Sequence, residues 1–219
     1  MHLRSADWDG AEAALGPALE RAERDGSGPA LALAHQYTAI LAMRRGDLEQ
    51  AQVHHDRAQA WTSTHGPPIE QAKLLVTTLQ LAARRHDVVA EMEGFLELAE
   101  RFAALDALRA AGVAGLQAAH LLLDQGLVDR ARAAFEDAVP LVPPADGLRQ
   151  AYADELRACF LIEAGELGRA LKVLERAIDG ARRAANPAVA ADYLARAVLV
   201  EHALGDLDAA VARTRDLDL

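Results

Sequence analysis

Apolar positions along this chain recur at helical spacing. Leu31, Ala34, Thr38, Leu41 and Ala42 fall on one helix face, Val113, Leu116, Ala119, Leu122 and Leu123 on another, and Leu156, Phe160, Leu161 and Ala164 on a third. Breakers interrupt these faces at Gly26-Ser27-Gly28-Pro29, Gly66-Pro67-Pro68, Pro143-Pro144 and Asn186-Pro187. The boundary near Leu105-Asp106 has no proline, which predicts a tighter turn there.

A second kind of punctuation alternates with the first. Short turns open at residues 6, 46, 86, 126, 165 and 205, spaced by 40, 40, 40, 39 and 40. Gly46-Asp47-Leu48-Glu49-Gln50-Ala51 and Gly205-Asp206-Leu207-Asp208-Ala209-Ala210 show the pattern most clearly. Glycine ends one helix in the left-handed conformation, and the following Asp or Glu caps the next. Five residues past the corner, alanine falls on the inner face of the second helix, where a small side chain admits a close neighbour. His86 and Glu91 break the pattern, so the second full repeat should pack less regularly. The reading is eleven helices: a lone one at 9–25, then five antiparallel pairs with corners near 46, 86, 126, 165 and 205. Such pairs bury their seams only by stacking on neighbours, which makes residues 1–219 one all-α repeat domain of the solenoid class.

These residues resemble the tetratricopeptide repeat. Its pattern is a small residue in the first helix, a Gly-Asp corner, Ala five positions on, and further apolar and Ala positions in the second helix. The third full repeat carries it in Ala119, Gly126, Ala131, Phe135, Ala138 and Pro143, and the fourth in Ala158, Gly165, Ala170, Leu174 and Ala177. The resemblance spans nearly the whole chain and implies a right-handed superhelix of helix pairs. It departs from the family in its longer period and in first helices that are mostly aliphatic. Longer repeats of this kind look like those of large bacterial regulators, among them ATP-dependent LuxR-type activators such as the maltose-regulon activator, and AfsR-type activators. In those proteins the array is implied to sense an inducer or partner. The sequence has no GxxxxGK[ST] loop and no helix-turn-helix with a basic reading helix. The register opens at a corner, and no polar capping helix is evident at either end. The expectation is therefore a piece of a longer protein, or ends covered by self-association.

Composition narrows the choice of partner. The formal net charge is −10 and Lys73 and Lys172 are the only lysines, so no concentrated basic stripe is available for phosphates. Direct nucleic-acid binding is not expected. Cys159 is the only cysteine, which rules out an intrachain disulfide. No stretch has the length of a signal-peptide core or a membrane span, so the expectation is a cytoplasmic protein without a membrane role.

Residues with reactive side chains read as structural. His54-His55 are adjacent and point about 100° apart on a helix, so they cannot chelate one ion together; surface histidines are the expectation. His86 with Glu91, and His120 with Asp124, come closer to ligand spacing but lack a third ligand. Cys159 lies among Leu156, Phe160 and Ile162 as a buried or half-buried thiol. Trp8 and Trp61 should pack between repeats, and the acidic runs at 91–100 and 206–218 should be solvated helix faces. No catalytic, cofactor or metal site is expected, and the chain is read as a non-enzyme.

The resemblance implies a groove lined by first helices, thirteen, ten, six, three and two residues before each corner. Those positions give Gln36, Ile40, Met43 and Arg44, then Lys73, Val76, Gln80 and Arg84, then Leu116, His120, Leu123 and Asp124. They continue with Glu155, Cys159, Ile162 and Glu163, and end with Asp192, Leu199 and His202. The stripe is basic in its first half and acidic in its second. The expected function is a scaffold or sensor module that takes a protein, a peptide or a small effector in this groove, as part of a bacterial transcriptional regulator or signalling protein. The alternative is a structural segment that sets homodimer geometry.

Overall fold

The computed structural model describes residues 8–215, and the first corner, at residue 6, lies outside them. Among the described residues all regular structure is helical. The helices are α1 (Trp8–Arg24), α2 (Gly28–Arg45), α3 (Leu48–His65), α4 (Pro68–Arg84), α5 (Val88–Ala104) and α6 (Leu108–Asp124). They continue as α7 (Val128–Ala138), α8 (Gly147–Glu163), α9 (Leu167–Arg183), α10 (Pro187–Leu204) and α11 (Leu207–Thr214), with a 3-10 turn at Val139–Leu141. After α1 the helices pack as consecutive pairs, an all-α helical repeat of the solenoid class.

Corner geometry explains the forty-residue register. At Gly46, His86, Gly126, Gly165 and Gly205 the backbone turns left-handed, with φ between 58° and 81°. At each corner the anchor N–H donates to the carbonyl three residues back, and the next N–H donates to the carbonyl five back. The bonds at Gly46 run to Met43 at 3.1 Å and from Asp47 to Ala42 at 3.0 Å; those at His86 run to Ala83 at 3.1 Å and from Asp87 to Ala82 at 3.0 Å. This double bond closes the end of each first helix. Asp47, Asp87 and Asp206 then cap the second helices through the backbone N–H groups of Gln50, Ala90 and Ala209. Glu166 makes no cap of this kind and pairs with Arg169.

The chain divides between Asp106 and Ala107 into two compact units. In the first, Ala51, Ala58 and Ala72 are wholly buried, and Met43, Ala51 and Leu81 form a core cluster with Ile40 and Leu48 against it. Glu91 replaces the expected alanine in this unit and is only half-buried. α4 and α5 approach through a different residue: a Cβ on Gly94 would lie 2.1 Å from Leu79 Cδ2. Their contact is correspondingly less extensive than that of α2 with α3. The second unit is the better packed. Leu116, Leu122, Leu156 and Leu174 are sealed in it, with Ala131, Ala170 and Ala177 at the crossings. Gly115 and Gly180 extend the close approach, since an added Cβ would come within 2.7 Å of Ala138 and 2.8 Å of Ala151.

One boundary between pairs departs from expectation. The link Leu105–Ala107 is longer than the two-residue link Gly66-Pro67, so the missing proline does not make it the tighter turn. Asp106 instead turns with φ of 55°, a conformation that a short polar side chain tolerates. At Pro143-Pro144 the chain leaves α7 through the 3-10 turn, and Gln150 Nε2 returns from α8 to donate to the Val142 carbonyl at 2.9 Å.

Candidate functional site

Each unit carries a groove on its first helices. In the first unit a groove of about 710 Å³ lies between α2 and α4, with Trp61 of α3 beside it. Gln36, Ile40, Lys73, Val76 and Gln80 line it. Gln36 Nε2 donates to the Lys73 carbonyl and to Thr77 Oγ1, both at 3.3 Å, and Lys73 pairs with Glu70 at 2.8 Å. Trp61 packs on the neighbouring backbone: a Cβ on Gly28 would lie 2.0 Å from its Nε1, and its ring stacks on His65 at 5.7 Å. The expectation for the Trp8 side chain lies outside the described residues. Met43 does not face the groove; it is 4% exposed, within the α2–α3–α4 core. Arg44 and Arg84 are exposed in the last turns of their helices, outside the groove lining.

The second unit holds the larger groove, about 1040 Å³, formed chiefly by α6, α8 and α10. Leu116 and His120 line it from α6, Glu155 and Ile162 from α8, and Asp192 and Leu199 from α10. Leu123, Asp124, Glu163 and His202 are not in its lining. The lining stripe thus runs mainly through the positions sixteen to six before each corner. Most positions two or three before a corner fall at the helix end, where the chain is already turning away. Asp124 there meets His120 Nε2 at 3.3 Å.

Glu155 anchors the floor of this groove. Its side chain is 3% exposed, and its Oε1 meets Arg196 Nε at 3.1 Å. Cys159 Sγ donates to the same oxygen at 3.3 Å and accepts from Arg196 Nη1 at 2.7 Å. Cys159 therefore lies behind the groove surface, at 5% exposure, as a link between the two charged groups. Burial first, and then the neighbouring Glu155 charge, push its thiol up to about 12, so it stays protonated and weakly nucleophilic at neutral pH. Glu155 Oε2 is buried and has no hydrogen-bond partner. Tyr152 and Tyr193 stand beside it in the lining; burial, then the Glu155 charge, raise both phenols above their ordinary range.

The sequence reading reached Glu155, His120 and Asp192 but passed over Arg196, Tyr152 and Tyr193. A sequence signal was present for Tyr152 alone. Tyr152 sits thirteen residues before its corner, within the stated stripe, and Arg196 and Tyr193 sit nine and twelve before theirs.

A third cluster is internal. His35 Nδ1 of α2 meets His54 Nδ1 of α3 at 3.0 Å, and His55 Nε2 lies 3.2 Å from Thr78 Oγ1. His55 is 2% exposed and His54 half-buried, so the expected surface pair is built into the helix packing. Burial is the leading cause that lowers the pKa of all three imidazoles, with His54 and Arg57 adding to it at His35. Among the described residues, no three His, Cys, Asp or Glu side chains come together as a metal-binding group.

No protein-family model matches the sequence, and no curated protein sequence does. The fold has solved counterparts. The crystal structure of BtubC (BKLC) from P. vanneervenii is similar, with a TM-score of 0.76 at 16% sequence identity, covering 98% of this chain and 91% of that one. At this identity the likeness is one of fold. Among the described residues no helix is long and apolar enough to cross a membrane.

Proposed function

We propose that this chain is a binding module of the tetratricopeptide type, which takes a peptide or protein segment, or a small effector, along its first helices. The observation that carries this reading is the 1040 Å³ groove on α6, α8 and α10, at the upper end of ordinary ligand-site volumes. It combines an apolar wall with a few convergent polar groups, as recognition sites do. Cys159, behind the groove surface, is held as a thiol, which suits binding better than nucleophilic chemistry. A role in a bacterial regulator or signalling protein follows from the repeat's resemblance to the sensor arrays of such regulators.

The test is a peptide library selected against the intact chain, then measured on variants. Leu199→Arg and Leu33→Arg place a charge in the two grooves, at residues 69% and 47% exposed. Lys172→Glu and Asp179→Arg alter exposed positions on α9. The selected peptides should lose affinity for at least one groove variant and keep it for the α9 variants. The opposite pattern would reject the groove.

A second reading, self-association, is favoured by a separate observation. Leu204, Leu207 and Val211 stand 47%, 57% and 57% exposed at and after the α10–α11 corner, apolar side chains of the kind that interfaces cover. Light scattering across a concentration series decides it. A dimer abolished by Leu207→Glu supports this reading, and a monomer at every concentration removes it.

A further inference from the structure

We infer that the groove of the second unit has a specific cation subsite at Glu155 Oε2, whose occupant is the ammonium of a lysine side chain in an extended peptide. The inference rests on the binding reading above and adds the chemistry of the partner.

Glu155 is a carboxylate with its two oxygens in different situations. Oε1 is occupied by Arg196 Nε at 3.1 Å and by Cys159 Sγ at 3.3 Å. Oε2 is buried and receives nothing, in a residue that lines an open groove. A buried acceptor without a donor is costly, and a carboxylate oxygen more so than a neutral one. Oε2 is shielded from solvent, so a ligand donor reaches it only as neighbouring groove side chains shift; a donor that does so removes that cost, which makes the site selective for donors.

The surroundings favour a positively charged donor. Asp192 lines the same groove one turn before Arg196 on α10, and places a second carboxylate in it. Tyr152 and Tyr193 present aromatic rings in the wall, and ring faces attract cations. Arg196 neutralises only one side of Glu155, and the other lining arginine, Arg149, pairs with Asp146 at 3.9 Å.

Geometry then selects lysine over arginine. A guanidinium binds a carboxylate best through two parallel N–H donors, which needs both oxygens. Here Arg196 already holds Oε1, and one confined oxygen remains. An ammonium on a slim aliphatic stem needs only one acceptor and can bury its methylenes against Val113, Ile162 and Leu199. The size of the groove argues for a peptide over a free amine, because a small amine at Oε2 would leave most of the 1040 Å³ and its apolar wall unfilled.

The experiment uses the intact chain and fluorescent nine-residue peptides with one central lysine between apolar residues, read by anisotropy. Matched peptides carry acetyl-lysine, arginine or norleucine at the centre, so the comparison leaves the protein unaltered. The lysine peptides should bind, lose binding with Leu199→Arg, and bind about tenfold or more tightly than each matched peptide, the loss expected for one charge-assisted hydrogen bond. Glu155→Gln should remove that preference while circular dichroism shows the fold retained; if the variant unfolds, the peptide series alone decides. Groove binding with equal affinity for lysine and norleucine overturns the cation subsite and leaves the binding module standing. Tighter binding of the arginine peptide overturns the choice of lysine. Cadaverine that binds as tightly as the peptide overturns the peptide as occupant. No peptide binding, or binding indifferent to Leu199→Arg, overturns both the subsite and the groove.

Discussion

Ala185 occupies a backbone position that suits glycine better. Its φ is 52°, and its N–H closes α9 by donating to the Arg182 carbonyl at 2.9 Å, while Asn186 N–H donates to Ala181 at 3.1 Å. An L-residue with a Cβ is strained there by about 1 kcal/mol. Ala185→Gly should therefore stabilise the chain by up to about 1 kcal/mol, less the entropy that glycine adds to the unfolded state. Urea denaturation measures it, and a loss of stability would mean that the left-handed turn is not populated. His35 and His54 supply a pH-dependent counterpart. Their Nδ1 atoms share one proton at 3.0 Å, and burial lowers both pKa values, as it does at His55. The unfolded chain takes up these protons at higher pH than the folded one, so stability is full above the ordinary value of about 6.5 and falls as the pH drops below it. Melting temperature should decline from pH 7 to pH 5, and His35→Gln should flatten the decline. A profile identical to the parent's would show that the pair does not titrate with folding.

At the scale of the element, the helix pairs with corners at 46, 126, 165 and 205 are held by alanines set five past the corner. Ala131 and Ala170 are wholly buried where the second helix of each pair meets its partner. Replacing either with Leu should overpack the seam and cost roughly 1–3 kcal/mol. Equal stability of both variants and the parent would contradict the packing. This level of the fold was legible in the sequence, because Gly46, Gly126, Gly165 and Gly205 mark the turns through a property of the backbone alone. His86 was harder to read, since its left-handed turn is imposed by the same pair of hydrogen bonds without glycine's freedom. The floor of the second groove was only partly legible. The family resemblance placed Glu155 on the stripe, but a pattern within one helix carries no information about its partner on another. Arg196 reaches Glu155 from α10, 41 residues later in the chain, and that contact exists only once α8 and α10 are packed side by side. Cys159 and Met43 show the converse. Both fall on the stripe by count, yet they point into the packing because the groove face is narrower than the spacing rule.

For the whole molecule, the question is how far a local loss of packing spreads. A repeat array gains its stability from each unit and its immediate neighbours, so damage in one pair weakens adjoining pairs most. The two compact units each enclose their own core: Met43 and Leu81 belong to the first, Leu156 and Leu174 to the second. Leu174→Ala leaves a cavity among Ala158, Ala177 and Leu194, and should cost about 3 kcal/mol locally. Hydrogen exchange under native conditions reads the consequence amide by amide, because each amide reports the cheapest opening that exposes it. Exchange should accelerate strongly in α8, α9 and α10, less in α6 and α7, and hardly at all in α2 to α4. A chain that opened only as a whole would instead show one uniform acceleration from α2 to α10, since every amide would then report the same global loss. That uniform result would replace the picture of semi-independent repeats with a single cooperative domain. The graded result would mean that a ligand seated on α6, α8 and α10 stabilises those helices first, with protection fading along the array.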